Sequence, residues 1–290
     1  MKFLVNRSIE DQLPLCHSVT HGALDNLSAG RLHSRVLDSQ SASCASSNLG
    51  RVRQAAVTVA FGHHAEILDR TFTSFAQNKF LELHAIILGG SLPSRQIQGI
   101  QYHLVPHDTS FGHALREVYY RRWELLDMLG VDYAVVVDNH DVLCLRSIPE
   151  LPCLLRGASL GACPEHGGGK YIAGQGYTST YFNAGVTFWN VQASRPLRQE
   201  ILRRARRRFR SVDDQLVLNE VAHTRFYDEV IILPSQYNYR PCLAPTKIPN
   251  WPTVDHLDGV RIYHNVYSLE AARALLPVKD KAFLPPVTAA

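Results

Sequence analysis

The sequence predicts an α/β fold: a single domain built on a mostly parallel, Rossmann-like central sheet flanked by helices. Three observations carry this expectation. Continuous apolar, partly β-branched runs at 55–61, 83–88 and 133–137 read as strands buried on both faces. Stretches with helical spacing separate them, and strands alternating with helices pack as a parallel sheet covered on both sides. At 290 residues, 46% hydrophobic and 19% charged, the chain is long and apolar enough for one large core and too apolar for general disorder.

The elements follow in order. Residues 1–50 lack sustained periodicity and grow rich in Ser and small residues, which reads as an arm or leader outside the fold. The domain is expected over 51–275. It opens with the strand at 55–61, a helical stretch through Ile67, Leu68, Phe72 and Phe75, and a strand at 83–88 closed by Gly89-Gly90. A third strand near 100–105, a helix around 114–129 and the most apolar strand, 133–137, complete the first half. The second half holds Gly167-Gly168-Gly169, a strand at 184–189, an Arg-rich helix, a short helix at 214–221 and strands at 230–233 and 259–264. Residues 276–290 read as a tail.

Composition narrows the function classes. No run approaches the roughly 18 apolar residues of a membrane helix, and the apolar run at the start is too short for a secretory signal, so a cytoplasmic protein is expected. The six cysteines show no C-x-x-C spacing, which suggests neither a disulfide scaffold nor a zinc knuckle, and most are expected to be reduced. A balance of 30 Lys+Arg to 26 Asp+Glu argues against dedicated nucleic-acid binding. The run from Arg203 to Arg210 has two readings, a solvated helix face or a basic patch for peripheral contact with an anionic acceptor or membrane surface.

In open α/β sheets ligands bind at the carboxyl ends of the strands. Directly after Val135-Val136-Val137 comes Asp138-Asn139-His140-Asp141. Two carboxylates and an imidazole at the end of a deeply buried strand repel or are desolvated at a cost unless something compensates them. A divalent cation does so, and carboxylate oxygens suit Mg2+ and Mn2+. The alternative is structural, with Asp138 capping a turn and Asp141 solvated.

Strand-Asp-x-Asp-strand after a helix bearing a basic residue resembles the donor half of a GT-A glycosyltransferase, and more specifically of glycosyltransferase family 8, the group of glycogenin and the bacterial galactosyl- and glucosyltransferases. Four further segments match in order. Tyr120-Arg121-Arg122-Trp123 is similar to the helix whose basic residue faces the sugar-nucleotide phosphates, which points to Arg121. Phe182-Asn183-Ala184-Gly185 is close to the FNAG segment, where the Asn amide bonds sugar hydroxyls and the small residues permit close approach. Asp214-Gln215-Leu216-Val217-Leu218-Asn219 resembles the DQxxLN helix start, whose first two side chains lie beside the anomeric carbon; a plain helix cap is the alternative for Asp214. Val260-Arg261-Ile262-Tyr263-His264 is similar to the strand ending in a metal-ligating histidine, and Asn238 matches an Asn that shapes the acceptor side.

The resemblance covers about 57–266 and implies a metal set of Asp138, Asp141 and His264, with His140 as an alternative to Asp141. It implies nucleotide contacts from Ala60, Phe61, Gly62 and His63 after the first strand and from Asn139, with His64 and Asp108 nearby. Two departures stand out. The metal motif is one residue longer than Asp-x-Asp, and the Gly and Lys-Pro-Trp expected after His264 are replaced by Asn265-Val266-Tyr267-Ser268-Leu269, so the diphosphate clamp falls to Arg121, Arg122 or Arg240 or is absent. Residues 165–170, with three consecutive glycines, read as a flap.

What the resemblance implies is transfer of a hexose from a UDP-sugar to a hydroxyl acceptor on a small molecule or glycan, with Mn2+ or Mg2+, with retention and by a front-face route steadied by Asp214 and Gln215. A nucleotidyltransferase is the rival enzyme, although Phe61-Gly62-His63-His64 is not its Gly-rich basic loop. A degenerate sugar-nucleotide or glycan-binding module is the non-enzymatic rival. A Rossmann dehydrogenase is disfavoured because no G-x-G-x-x-G follows the first strand.

Overall fold

The computed structural model describes residues 52–264, except 71, 113, 140, 165–169, 173–175, 179, 208–212 and 241–258, and gives the backbone alone at 63, 67, 69, 70, 170–172 and 176–178. The arm at 1–50, the glycine flap and the tail at 276–290 lie outside the described residues. Those that are described fall within one compact unit, Ser34–Ala290.

The apolar runs form strands where expected: β1 (Gln54–Phe61), β2 (Leu81–Leu88), β3 (Ile100–Val105) and β4 (Tyr133–Val137), followed by β5 (Val142–Cys144), β6 (Leu160–Pro164), β7 (Lys170–Ile172), β8 (Gly176–Thr178), β9 (Phe182–Asn190), β10 (Val230–Ile232) and β11 (Ile262–His264). The helices are α1 (Ala114–Glu124), α2 (Leu151–Leu155), α3 (Arg195–Arg207) and α4 (Asp214–Arg225). The helical stretch after β1 is 3₁₀, Gly62–Arg70 and Phe72–Gln77, and α1 tightens into a 3₁₀ turn at Leu125–Met128.

Seven strands make the central sheet in the order β10-β6-β9-β4-β1-β2-β3. Only β9 runs against its neighbours. The mostly parallel sheet flanked by helices is therefore the observed fold. Strand alternation sorts the core onto two faces: Ala55, Val57, Val59, Ala134 and Val136 pack with Tyr120 and Trp123 of α1 and with α3 and α4, while Ala56, Ala60, Val135 and Val137 pack with Phe72, Phe75 and α2. β5 and β11 form a separate antiparallel pair, and β7 and β8 a hairpin.

One irregular feature shapes the later chemistry. Pairing of β6 with β9 runs to Ala162↔Thr187 and resumes at Pro164↔Phe182, so two steps along β6 answer five along β9. Asn183–Val186 thus lie opposite the single residue Cys163, and a bulge of this kind re-aims the side chains it contains. The bulge is pinned by the fully buried Asn219 of α4, whose Oδ1 accepts from Phe182 N at 2.7 Å and whose Nδ2 donates to the Phe182 and Gln215 carbonyls at 2.8 Å.

The Arg-rich helix is largely compensated within the chain. Arg203 and Arg204 donate to the buried Glu200, Arg225 stands 3.4 Å from the same carboxylate, and Arg206 lies 4.0 Å from Asp108 and Glu124. Among the described residues this favours the solvated, ion-paired face over a concentrated patch. Cys144 and Cys163 are buried free thiols, the first pushed up to about 12 and the second also raised by desolvation, whereas Cys153 is disulfide-bonded. No described helix is long and apolar enough to cross a membrane.

Two measurements test this packing. Asn219→Ala leaves the buried Phe182 N–H without its acceptor and is expected to cost about 2–4 kcal/mol in urea unfolding; a loss below about 0.5 kcal/mol contradicts the pinning role. Hydrogen bonding by Arg203, opposed by desolvation and reinforced by Arg204, lowers Glu200 from 4.5 to about 2. A carboxyl depressed in the folded state stabilises above its unfolded pKa, and that contribution is lost as pH falls through its folded value. Wild-type stability is therefore expected to fall more steeply than that of Glu200→Gln between pH 4.5 and 2, read from thermal unfolding; parallel curves contradict the assignment.

Candidate functional site

The carboxyl end of β4 delivers Asp138, whose backbone N–H is held by the Gly185 carbonyl at 2.9 Å. Three residues on, Asp141 precedes β5. The β5–β11 ladder pairs His264 with Val142, which brings a residue distant in sequence next to Asp141. His264 Nε2 stands 3.5 Å from Asp138 Oδ2 and 3.5 Å from Asp141 Oδ2, and one ligand atom from each of the three residues lies within 4.8 Å of the others. His140 lies outside the described residues.

Arg122 of α1 enters this cluster from beneath. Buried to 4% exposure, its guanidinium donates from Nη1 to Asp138 Oδ1 at 2.6 Å, from Nη2 to the Ala184 carbonyl at 2.8 Å, and from Nη2 to Asp214 Oδ2. The neighbouring arginines diverge in the structure. Arg121 points away, to Glu117 and to the Pro106 carbonyl, because successive helical residues diverge by about 100° and only Arg122 lies on the inward face. The expectation for Asp214 is refined. Asp213 is the N-cap of α4, accepting from Leu216 N at 2.9 Å, which leaves Asp214 to turn inward to Arg122.

Electrostatics follow from this wiring. Desolvation pushes Asp138 upward, but Arg122 and His264 outweigh it and hold the carboxyl well below its usual range. For Asp214 burial wins: opposed by Arg122 and joined by Asp138, it raises the carboxyl to about 6. His264 is lifted above its ordinary value, since the pull of Asp138 and Asp141 exceeds the opposing effect of burial.

The donor set fits a divalent cation on three counts. Asp141 Oδ1 is buried and has no hydrogen-bond partner, an arrangement that is costly unless another charge satisfies it. Separations of 3.5 Å are long for hydrogen bonds, yet near the roughly 3.0 Å that two donors on bonds of about 2.1 Å span at a right angle. Three carboxyl groups, Asp138, Asp141 and Asp214, gather around one guanidinium and one imidazole, a surplus of acidic groups that a divalent ion would offset. Asp138, with a side chain 31% exposed, is the member open to the outside.

A cavity of about 190 Å³ adjoins the acids. Val59, Phe61 and His64 at the end of β1 face Leu115, Val118 and Tyr119 of α1 across it, with Arg122, Asp138, Asn139 and Asp141 also lining it. The Phe61 and His64 rings lie 5.3 Å apart. Of the residues expected to contact the nucleotide, Phe61 and Asn139 line the cavity. Ala60 does not: strand alternation turns it to the opposite core face, where it is 1% exposed, and His64 supplies the wall instead. Gly62 is exposed with φ +53°, outside the lining, and of His63 only the backbone is described. Asp108 caps the turn Thr109–Phe111 through Ser110 N and does not line the cavity.

Beyond the acids an amide chain runs through the β9 bulge. Asn183 Nδ2 donates to Gln215 Oε1 at 2.9 Å, Ala184 N donates to the same oxygen at 3.1 Å, and Asn238 bridges Asn183 Oδ1 at 2.8 Å and His264 Nδ1 at 3.0 Å. Gly185 has a different use from the one its small size suggested. The space a Cβ would fill is taken by the protein itself: the atom would stand 2.5 Å from Asp138 Oδ2, 2.9 Å from His264 Nε2 and closer still to His264 Cε1. Arg122 and Asn238 are the two residues the sequence undervalued. The only signal for the former was its place beside Arg121, and for the latter its position after a strand.

Gly185→Ala is expected to lower stability by about 1–3 kcal/mol in urea unfolding through this overpacking; a change within 0.3 kcal/mol, roughly the error of such measurements, contradicts the close approach.

No family model matches the sequence, and no curated protein matches it. Solved structures do. A crystal structure of an active-site mutant of LgtC is 19% identical with a TM-score of 0.53, covering 79% of this chain and 93% of that one. A structure of the galactosyltransferase LgtC in complex with donor and acceptor sugar analogs is 19% identical with a TM-score of 0.52, covering 79% of this chain and 100% of the other. Likeness at this identity speaks to the fold alone, and the chain shares the GT-A fold of those structures.

Proposed function

We propose that this chain is a glycosyltransferase that moves a hexose from a UDP-sugar to a hydroxyl acceptor with the help of Mn2+ or Mg2+. The observation that carries the reading is the convergence of Asp138, Asp141 and His264, from two sheets, around a buried and unpartnered carboxylate oxygen beside a half-apolar cavity. Likeness in fold to a galactosyltransferase crystallised with donor and acceptor sugar analogs supports it.

In this reading Asp138, Asp141 and His264 would hold the cation, which when bound would supply electrostatic stabilisation of a diphosphate leaving group. Phe61, His64 and Tyr119 offer flat, partly apolar walls for a pyrimidine ring, with Asn139 at their edge. Arg122 keeps Asp138 and Asp214 apart and ionised, so that Asp214 and Gln215 can face a sugar carrying partial positive charge. Retention follows from the resemblance of these segments to family 8. The front-face route, with Asp214 and Gln215 steadying the sugar, is the form of retention adopted.

The test is metal-dependent turnover. The purified protein is expected to hydrolyse or transfer from a UDP-hexose with Mn2+ and to stop on chelation. Asp141→Asn is expected to lower the rate on the order of 10²-fold or more while its circular dichroism spectrum stays that of wild type. Equal turnover with and without metal contradicts the proposal. UDP-sugar binding with no turnover at all favours the binding module.

A further inference from the structure

A neutral imidazole offers Nε2 as a ligand only when its proton sits on Nδ1, and the partner of Nδ1 decides which tautomer forms. In this chain that partner is Asn238, 3.0 Å away. The two ends of a carboxamide look alike, so the polarity of such a contact has to be traced to groups whose donor character is fixed. Backbone amides are such groups.

Two of them bound this network. Gly185 N–H points at the Asn183 amide at 2.9 Å, so the Asn183 atom there is its oxygen. Ala184 N–H points at Gln215 Oε1 at 3.1 Å, and that oxygen also accepts from Asn183 Nδ2 at 2.9 Å. Both ends of Asn183 are thereby assigned. Its oxygen lies 2.8 Å from the Asn238 amide, which must present its NH2 there. The other end of Asn238 is then an acceptor, and His264 Nδ1 has to donate to it. Turning Asn238 over would set two carbonyl oxygens against each other at that separation, in a setting where Asn183, Asn238 and His264 are each at most 3% exposed.

We propose that Asn183 and Asn238 are positioning residues which relay the polarity of the Gly185 and Ala184 peptide groups to His264 and fix it as the Nδ1–H tautomer, with the Nε2 lone pair aimed between Asp138 and Asp141. This deepens, and rests on, the reading of those three residues as a cation site. It also changes the part played by Asn183. Its oxygen is spent on two donors inside the protein, so its task is to orient a ligand of the cation rather than to bond the sugar.

The tautomer is read directly from long-range 1H–15N correlations of the 15N-labelled, metal-free protein, at a pH that keeps the ring neutral, with the His264 signals assigned by their loss in His264→Gln. Mn2+ affinity is read in parallel from the free-ion EPR signal. Wild type is expected to show Nδ1–H and to bind Mn2+. Asn238→Leu is expected to shift His264 toward Nε2–H and to weaken Mn2+ binding 10–100-fold. An Nε2–H tautomer in wild type overturns the proposal, and so does wild-type behaviour of Asn238→Leu in both readouts. The wild-type spectrum decides the matter even if Asn238→Leu does not fold. Wild type with Nδ1–H but no Mn2+ binding sinks the cation-site reading and leaves the relay standing.

Discussion

The buried guanidinium of Arg122 is the contact on which the site depends. From the inward face of α1 it reaches the acid ending β4, a carbonyl in the β9 bulge and the first acid of α4. Taking a guanidinium out of water costs several kcal/mol, and that cost is offset only if opposite charges and acceptors close around it. Asp138, Asp214 and the Ala184 carbonyl do so. The consequence is functional: Asp138 is held ionised with Oδ1 occupied and Oδ2 turned to His264. Four separate elements are thus registered against one charge, and the acids stay close together without collapsing onto each other.

The bulge in β9 explains why small residues occur where they do. A regular strand would alternate Asn183, Ala184 and Gly185 across the sheet, committing two of them to the core on opposite faces. With the surplus residues, Ala184 keeps its methyl in the core and gives its carbonyl to Arg122, while Asn183 and Gly185 turn their polar groups to the amide chain. Gly185 leaves out a Cβ so that Asp138 and His264 can meet over its Cα. Read from the sequence, Ala-Gly suggested room for a ligand; at Gly185 the space a Cβ would fill is taken by the Asp138 and His264 side chains.

Much of the architecture was legible because it rests on local pattern. Runs such as 133–137 can only be doubly buried strands, and their alternation with helices leaves few topologies. The acids at the end of β4 were legible for the same reason. What was hidden depended on one-residue rotations and on long-range pairing. Arg121 and Arg122 are equivalent in composition and differ only by a helical step, and Ala60 and Phe61 differ by one step of strand alternation. Asp213 and Asp214 could each cap α4, and only the structure shows that the first does so and frees the second. The pairing of His264 with Val142 joins segments far apart in sequence, and the amide chain through Asn183 and Asn238 has no signature in spacing at all.

The most direct test of the account is a crystal structure grown with Mn2+ and UDP, with the ion located by its anomalous signal. The account expects one strong peak within about 2.0–2.6 Å of a carboxylate oxygen of Asp138, a carboxylate oxygen of Asp141 and His264 Nε2. A peak elsewhere, or nucleotide bound with those three side chains as they stand and nothing between them, contradicts it.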